Sequence, residues 1–224
     1  MQILYKDKNM IAVSKPVGMP AQSDLSRDED AMTLTARSLA DIGERSDLWL
    51  VHRLDRVVGG AMVFARNKKY AAILSELVSG RGMKKEYLAV VEGRAEGGTL
   101  SDLLYKDSRQ NKSFVVDRMR KGVKEASLEY VPLAVYDDGG ETLTLVRVSL
   151  HTGRFHQIRA QFSSRAMPLV GDGKYGSRNH VAAFPALYAV SLGFSVGGRN
   201  FSIKDKPNTS DYPWSLFDPS LFEI

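Results

Sequence analysis

A succession of short β-strand candidates between residues 113 and 150 limits the possible folds more than any other feature of the sequence. Residues 113–116, 127–136 and 142–150 have strand-like apolar patterns, and turns bearing Gly and Asp, such as 137–140, separate them. Helical spacing of apolar residues elsewhere adds helices to these strands. The sequence therefore predicts an α+β fold in which helices flank a mixed, mainly antiparallel sheet.

The rest of the pattern predicts one hairpin, three helices and four further strands. The hairpin joins residues 3–5 to residues 10–13 around a polar turn. The helices are expected at 33–42, 68–79 and 154–162, and Gly80 is expected to end the second. The further strands are expected at 48–51, 61–65, 86–91 and 187–194. No repeat or long linker interrupts these elements, so the sequence predicts a single domain over residues 1–224.

Composition narrows the chemistry that the chain can use. Of its 224 residues, 43% are hydrophobic, which is enough for a real core, and none is cysteine. The absence of cysteine excludes disulfides, thiolate metal sites and a cysteine nucleophile. No run approaches the roughly twenty apolar residues of a membrane span, and the first residues lack a signal or transit pattern. The sequence therefore predicts a cytoplasmic protein without a membrane partner.

The charge balance bears on the kind of partner. Lysine and arginine number 31 against 26 acidic residues, which gives a net charge of +5. This excess favours an anionic partner such as nucleic acid. It is equally typical of a solvated surface, so composition alone leaves nucleic-acid binding open.

Two familiar motifs lack the context that gives them meaning. GDGKYG (171–176) matches the dinucleotide fingerprint, yet no clear βαβ unit surrounds it and no acidic residue follows near position 191, so we interpret it as a glycine turn. GFSVG (193–197) matches a nucleophile elbow, but that fold needs a later histidine and the last one is His180. The four histidines also lack metal-ligand spacing, so no metal site is expected.

An acidic residue between two arginines marks the first segment that can carry chemistry. Asp55 lies in a loop between two predicted strands and is flanked by Arg53 and Arg56. Such a group can form an ordinary surface ion pair. Neighbouring positive charge also keeps a carboxylate ionised, which is the state that a nucleophile or a base requires.

The second such segment covers residues 150–159, where a strand turns through Gly153 into a short helix. Backbone amides at a helix start can bind phosphates, and Arg154 and His156 stand at this one. An amphipathic helix that exposes its polar residues has the same pattern, so the segment alone leaves both interpretations open.

Together the two segments resemble those of the RluA-like family of RNA pseudouridine synthases. The marks of that family are an HRLD loop, a KxYxAxVxG strand, a TGRxHQIR stretch and a GDxxYG-like turn. This chain has, in that order, HRLD at 52–55, KEYLAVVEG at 85–93, TGRFHQIR at 152–159 and GDGKYG at 171–176. The resemblance extends from the first strand to about Gly176, and the ordered combination is far more specific than any single motif.

This resemblance implies the pseudouridine synthase fold with a central RNA-binding cleft. It also implies an enzyme that isomerises specific uridines in a ribosomal or transfer RNA stem-loop, without a metal or an organic cofactor, and that acts as a monomer. The chain begins directly with the hairpin of the catalytic domain, so no S4-type RNA-binding domain is expected ahead of it.

The resemblance assigns roles to individual residues. It makes Asp55 the catalytic carboxylate, either as a nucleophile at C1′ or as a base at C2′, and the sequence leaves both routes open. Arg159 matches the arginine that pairs with this aspartate, and Tyr87 matches the tyrosine that stacks on the target base. The residues expected to bind RNA or to line the base pocket are His52, Arg53, Arg56, Arg154, His156, Gln157, Ile158 and Lys174.

One departure from the family pattern follows the HRLD loop. The family commonly has a Thr-Ser-Gly stretch there, whereas this chain has Val57, Val58 and Gly59. The missing hydroxyls are better suited to supporting the loop or touching RNA than to bond chemistry, so we expect activity with an altered choice of target. The alternative is a catalytically inactive protein that binds or remodels RNA on the same fold.

Overall fold

The computed structural model describes residues 1–223, which contain eleven β-strands and three α-helices. The helices are α1 (Ala31–Asp41), α2 (Lys68–Ser79) and α3 (Gln157–Ser163). The strands are β1 (Gln2–Lys6), β2 (Met10–Lys15), β3 (Trp49–Leu50), β4 (Gly59–Ala65), β5 (Lys84–Glu92), β6 (Gly98–Asp107), β7 (Lys112–Val116), β8 (Val123–Asp137), β9 (Thr142–Leu150), β10 (Leu187–Val196) and β11 (Arg199–Lys204). The predicted α+β class with mainly antiparallel pairing is confirmed.

Residues 1–85 and 188–207 form one compact unit, in which β4 is the central strand. One edge of β4 pairs antiparallel with β2, whose other edge pairs with β1. The second edge of β4 is shared, because β3 pairs with its C-terminal end and β10 runs parallel to its N-terminal end. β11 pairs antiparallel with β10. All seven residues of β4 are buried, as suits a strand with a nearly all-apolar sequence.

The core of this first unit is made by alternate residues of its strands together with α2. Leu74 is the buried residue of α2, and Asn67 caps that helix by accepting a hydrogen bond from the Tyr70 amide at 2.8 Å. Successive strand residues point to opposite faces, so every second residue of a strand can join the same core. The buried members of this core are Met10, Ala12, Ala61, Val63, Ala65, Leu74, Met83, Leu192, Phe194, Phe201 and Ile203.

Residues 86–187 and 208–223 form the second unit, and its paired strands are antiparallel. The strands follow the order β5, β9, β8, β6 and β7. One short helix, α3, packs on this sheet through Ala160, which meets Leu104 of β6, Ala126 of β8 and the ring of Tyr175. The sheet of this unit therefore supports the segment that contains the TGRFHQIR motif.

The sequence patterns miss β6 and β11 and misplace the start of α3. In β6, Leu103, Leu104 and Tyr105 are consecutive and at least partly buried, so the strand lacks the period-two pattern. β11 is short and has only two apolar residues. The helix α3 begins at Gln157 rather than at 154, because His156 adopts a left-handed conformation with φ 51°. Residues 157–162 are all buried, which contradicts one of the two open interpretations of this segment, an amphipathic helix that exposes its polar residues.

Two glycines with positive φ show different reasons for the lack of a side chain. Gly60 is paired with Ala189 of β10, and a β-carbon on Gly60 would lie 2.2 Å from the Ala189 carbonyl oxygen. Gly43 follows α1 with φ +72°, donates to the Ala40 carbonyl and has open space where a β-carbon would stand. Gly60 is thus required by packing, and Gly43 only by backbone conformation.

We therefore expect Gly60→Ala to destabilise the protein far more than Gly43→Ala. The cost at Gly43 is the left-handed conformation alone, about 1 kcal/mol. At Gly60 the clash with the β10 backbone adds to a φ of +120°, and we expect about 3 kcal/mol or more. Urea unfolding followed by far-ultraviolet circular dichroism measures both values. Equal losses for the two variants would contradict this account of β4 and β10.

Candidate active site

The loop that carries Asp55 joins β3 to β4 in the first unit. It closes in a turn in which the Val58 amide donates to the Asp55 carbonyl at 3.0 Å. Leu54 and Val58 are buried and hold the loop against the core, whereas Asp55 is half-buried. The carboxylate therefore belongs to a segment that is anchored on both sides of it.

Lys15, at the end of β2, is the strongest anchor of this loop. Its side chain is fully buried, and Nζ donates to the carbonyls of Pro16 at 2.9 Å, Met19 at 2.7 Å and Arg56 at 3.3 Å. Burial lowers the pKa of Lys15 to about 8, while the negative charge of Asp55 opposes this shift. At neutral pH Lys15 is mainly protonated, so it is a buried cation whose charge favours the ionised form of Asp55.

His52 ties the same loop into the sheet. Its Nε2 accepts a hydrogen bond from the Val63 amide of β4 at 3.0 Å. Because a backbone amide can only donate, Nε2 carries no proton and the ring is neutral with its hydrogen on Nδ1. Burial, together with a smaller effect of the positive charge of Lys85, lowers the pKa of His52 to about 3. His52 thus satisfies the Val63 amide, which lies on the edge of β4 between its pairings with β3 and β10. The RNA contact expected of His52 stays a prediction.

The two arginines beside Asp55 are both exposed. The guanidinium of Arg56 donates to Ser26 and pairs with Asp28, while its backbone carbonyl accepts from the Gly18 amide at 2.9 Å. An ion pair between exposed side chains contributes little to stability. Arg56 therefore fixes the loop chiefly through its carbonyl, and its side chain stands on the surface together with that of Arg53.

In the second unit, Arg159 of α3 is held by a buried carboxylate. Its Nε and Nη2 donate to the two carboxylate oxygens of Asp172, each at 2.7 Å, and both side chains are almost wholly buried. The guanidinium also lies 4.9 Å from the centre of the Tyr175 ring. A bidentate pair of this kind fixes the plane and the direction of the guanidinium. The residue expected to act on Asp55 is therefore rigidly positioned within its own unit.

Tyr175, which lies in the same GDGKYG motif as Asp172, supports the turn before α3. Its hydroxyl lies 3.0 Å from Nδ1 of His156 and accepts from the Ser113 amide at 2.8 Å. The ring of His156 stacks on that of Phe155 with centroids 3.8 Å apart. His156 is thus buried in contacts with the protein, and its predicted RNA contact stays a prediction.

Gln157 uses its side-chain amide to shape the same turn. Its Oε1 accepts from Thr152 Oγ1 at 2.7 Å and from the Arg154 amide at 3.0 Å. Its Nε2 donates to the Ser127 carbonyl and to Gln161 Oε1 at 3.1 and 3.0 Å. Both donors and both acceptor positions of this amide are in use, which supports a scaffold role for Gln157.

The remaining predicted residues have varied surroundings. Tyr87 is buried in β5 opposite Val148 of β9, and Ile158 is buried in α3. Lys174 is exposed in a short 3-10 turn, Gly173–Tyr175.

Asp55 belongs to the first unit, while Tyr87 and Arg159 belong to the second. The assembly of these three residues into one active site therefore stays a prediction.

Three residues of these arrangements were not assigned a role by the sequence patterns: Lys15, Asp172 and Tyr175. The sequence offered signals for all of them, because Lys15 ends an apolar strand just before a proline, and the other two lie within GDGKYG. That segment is a glycine-bearing turn, as predicted, with φ +79° at Gly171 and +95° at Gly176. Its function in the structure is to present Asp172 and Tyr175 to α3.

The described part of the chain contains neither a metal-binding cluster nor a membrane-spanning helix. Among residues 1–223, no group of three or more His, Asp or Glu side chains is arranged to hold a metal ion. Within that same range, no helix is long and apolar enough to cross a membrane. Of the four histidines, His52 and His156 are buried, while His151 and His180 are exposed.

Comparison with known proteins identifies similar sequences. A family model described as RNA pseudouridylate synthase matches residues 9–164. A protein of Bacillus subtilis (strain 168), named as an uncharacterized RNA pseudouridine synthase, is 32% identical over 196 residues, which are 84% of this chain and 62% of that protein. A tRNA pseudouridine synthase C of Haemophilus ducreyi is 33% identical over 190 residues, covering 79% of this chain and 74% of that protein. The chain thus spans less than two thirds of the first relative.

Solved structures show a similar fold. The human RNA pseudouridylate synthase domain containing 1 aligns with a TM-score of 0.78 and 22% identity, over 98% of this chain and 85% of that one. The human RNA pseudouridylate synthase domain containing 4 aligns with a TM-score of 0.75 and 23% identity, over 92% and 88% of the two chains. At these identities the likeness concerns the fold alone.

The neutral state of His52 leads to a pH-dependent stability. Its pKa is about 3 in the folded protein and about 6.5 in an unfolded chain, so the unfolded state binds the extra proton as pH falls below about 6.5. Stability contributed by the neutral ring is therefore complete above that pH and is lost at up to about 1.4 kcal/mol per pH unit down to about pH 3.

We expect His52→Gln, which keeps an acceptor but cannot titrate, to show a shallower loss of stability with falling pH in urea unfolding. His180→Gln, at an exposed histidine, should follow the wild type, and a parallel pH profile for His52→Gln would refute the assignment.

The Arg159–Asp172 pair should show strong coupling in a double-mutant cycle. Asp172→Ala leaves a buried guanidinium without this partner, and we expect a loss of about 3–5 kcal/mol in the free energy of unfolding. The double variant Arg159→Met with Asp172→Ala removes both charges and should lose less than the sum of the two single variants. Urea denaturation measures all three. Additive losses would show that the two side chains do not act as a pair.

Proposed function

Because the chain belongs to the RNA pseudouridylate synthase family, we propose that it isomerises specific uridines to pseudouridine in structured RNA. The reaction breaks the bond between C1′ of the ribose and N1 of uracil, turns the base, and joins C1′ to C5. The hydrogen on C5 leaves as a proton and N1 takes up a proton, so the product is an isomer of the substrate. A carboxylate close to the ribose and a pocket for the extruded base are the requirements of this chemistry.

The observation that carries the proposal is the way in which the Asp55 loop is held. The buried ammonium of Lys15 binds the carbonyl that follows Asp55, and the neutral ring of His52 binds β4. A fixed loop presents its carboxylate without a large entropic cost on substrate binding, which is how positioned catalytic groups gain rate. In this proposal Asp55 is ionised and acts at C1′ as a nucleophile or at C2′ as a base.

Residues of the second unit complete the proposed machinery. By the family motif, Arg159 keeps Asp55 ionised and oriented, and its rigid pairing with Asp172 supports such a role. Tyr87 is proposed to stack on the flipped uracil, which offers a π-face worth about 1–3 kcal/mol. Arg53, Arg56 and Lys174 are exposed and are proposed to contact RNA.

The substrate class follows from relatives. One protein similar to this chain is named a tRNA pseudouridine synthase and another a ribosomal large subunit pseudouridine synthase, so ribosomal and transfer RNA are the proposed substrates. We propose a monomer that acts in the cytoplasm. The departure at Val57 and Val58 fits this proposal, because Val58 is only 3% exposed and a group at that position packs inside the loop instead of facing solvent.

Tritium release tests the proposal directly. RNA transcribed with 5-tritiated uridine loses its label only when C5 forms the new bond, so we expect release from ribosomal or transfer RNA with the wild type. Asp55→Asn should reduce release below detection, because the amide can act neither as a nucleophile nor as a base. Asp47→Asn, which removes an exposed carboxylate from the same unit, serves as the control and should retain full release.

The contrary outcome identifies the alternative. If the wild type binds ribosomal and transfer RNA but releases no tritium, and Asp55→Asn binds equally well, the protein is an RNA binder that lacks turnover.

A further inference from the structure

The positive charge of the chain is concentrated in one short stretch. Residues 106–124, which include β7 and the turns on both sides of it, contain seven Lys or Arg and two Asp. Their net charge of +5 equals that of the whole chain. A charge concentrated in this way points to an anionic ligand more strongly than the same charge spread over a surface.

Part of this charge lines a small pocket in the second unit. The pocket has a volume of about 160 Å³, well below the roughly 300–1,000 Å³ of sites for whole small molecules, so it suits a single chemical group. Three of its lining side chains are cationic, and none of the lining residues in the described part of the chain has a carboxylate. Those residues are Leu104, Lys106, Ser113, Gly122, Lys124, Gly153, Arg154 and Phe155.

Strand register explains why the cations converge. Leu104 of β6 pairs with Lys124 of β8, and Lys106 pairs with Ser113 of β7, so these side chains share one face of the sheet. Toward α3 this face is apolar and carries the core around Leu104 and Ala160. Beyond that core the same face becomes basic. The two lysines are therefore placed side by side by rigid strands, and both are exposed.

The third cation and the wall of the pocket are also fixed. Arg154 Nε donates to the Glu125 carbonyl at 2.8 Å, which holds the guanidinium beside β8. Ser113 Oγ donates to the Phe155 carbonyl at 2.6 Å and ties the loop before α3 to β7. A guanidinium that is held in place in advance loses little entropy on binding an anion.

A phosphate fits this pocket better than a nucleobase does. One face of the Phe155 ring is covered by the imidazole of His156, with centroids 3.8 Å apart, and the ammonium of Lys106 lies 4.3 Å from the centre of the ring. Since the imidazole occupies one face, the ammonium lies over the other, and no face remains for stacking a base. The start of α3 is less suitable for phosphate, since the Arg154 and Gln157 amides already bond to Gln157 Oε1 and the Arg154 carbonyl.

We propose that this pocket of Lys106, Lys124 and Arg154, the basic pocket, binds one phosphodiester group of the RNA strand. The inference rests on the proposed function only in taking RNA as the ligand. The basic pocket contributes affinity and register, and takes no part in the chemistry at Asp55. Arg154 is thus assigned a phosphate contact within the basic pocket instead of at the helix start.

Equilibrium binding tests the proposal with the double variant Lys106→Ala/Lys124→Ala. Filter binding of labelled ribosomal and transfer RNA across a KCl series gives both the affinity and its salt dependence. We expect about tenfold weaker binding, equivalent to one charge-assisted contact. The slope of log affinity against log salt should fall by about 0.7 for each phosphate that the variant no longer neutralises.

The matched control is Lys68→Ala/Lys69→Ala, which removes the same charge from exposed positions at the start of α2. This control should bind RNA within about twofold of the wild type, since no pocket involves these lysines in the proposal. Lys124→Arg should retain affinity and Lys124→Glu should lose more than Lys124→Ala, because charge is the property required. Thermal unfolding of each variant establishes that the fold is retained.

Each outcome decides the proposal. Wild-type affinity and salt slope in the Lys106/Lys124 double variant, or an equal loss in the Lys68/Lys69 control, would overturn the basic pocket. A lack of RNA binding by the wild type would overturn it as well. Binding needs no turnover, so a protein that releases no tritium but shows the expected decreases in affinity and slope contradicts the proposed function and supports the basic pocket.

Discussion

The buried ammonium group of Lys15 is the interaction on which the Asp55 loop depends. Backbone carbonyls removed from water must find donors, and this one side chain serves three of them from two separate segments. Carbonyls of Pro16 and Met19 belong to the turn after β2, and that of Arg56 belongs to the loop itself. Removal of the ammonium group, as in a Lys15→Met variant, would leave acceptors unsatisfied on both segments at once. The fold thus uses a costly buried cation where precision of the loop is needed.

The second unit solves an equivalent problem with a carboxylate and a phenol. Asp172 fixes the guanidinium of Arg159, and Tyr175 fixes the ring of His156, so one short turn positions two residues of the TGRFHQIR motif. The turn itself is held by hydrogen bonds from the Tyr175 and Ser177 amides to the Asp172 carbonyl. In both units, residues with conspicuous chemistry are held by partners to which the motifs alone assign no role.

The sequence predicted the elements with a clear apolar pattern more reliably than the elements without one. The strand β9 and the helix α2 were predicted within a few residues because their apolar spacing is regular, and β4 because it is an almost continuous apolar run. β6 was missed because Leu103, Leu104 and Tyr105 break the alternation, and α3 was placed too early because the left-handed turn at His156 has no local signature. Site residues were predicted by motif, but the hydrogen bonds of Lys15 and Asp172 could not be, since they join segments that the sequence patterns treat separately.

The shared edge of β4 has a consequence for how the chain is built on the ribosome. β4 receives its parallel neighbour β10 only after residues 86–187 have been made, whereas that long intervening stretch contains neighbouring strands that can pair as they emerge. Pairing β4 with β10 therefore closes a loop that contains residues 86–187, and this closure has an entropic cost. Vectorial synthesis thus completes the surroundings of Asp55 late, after the strands that carry the basic pocket have been translated.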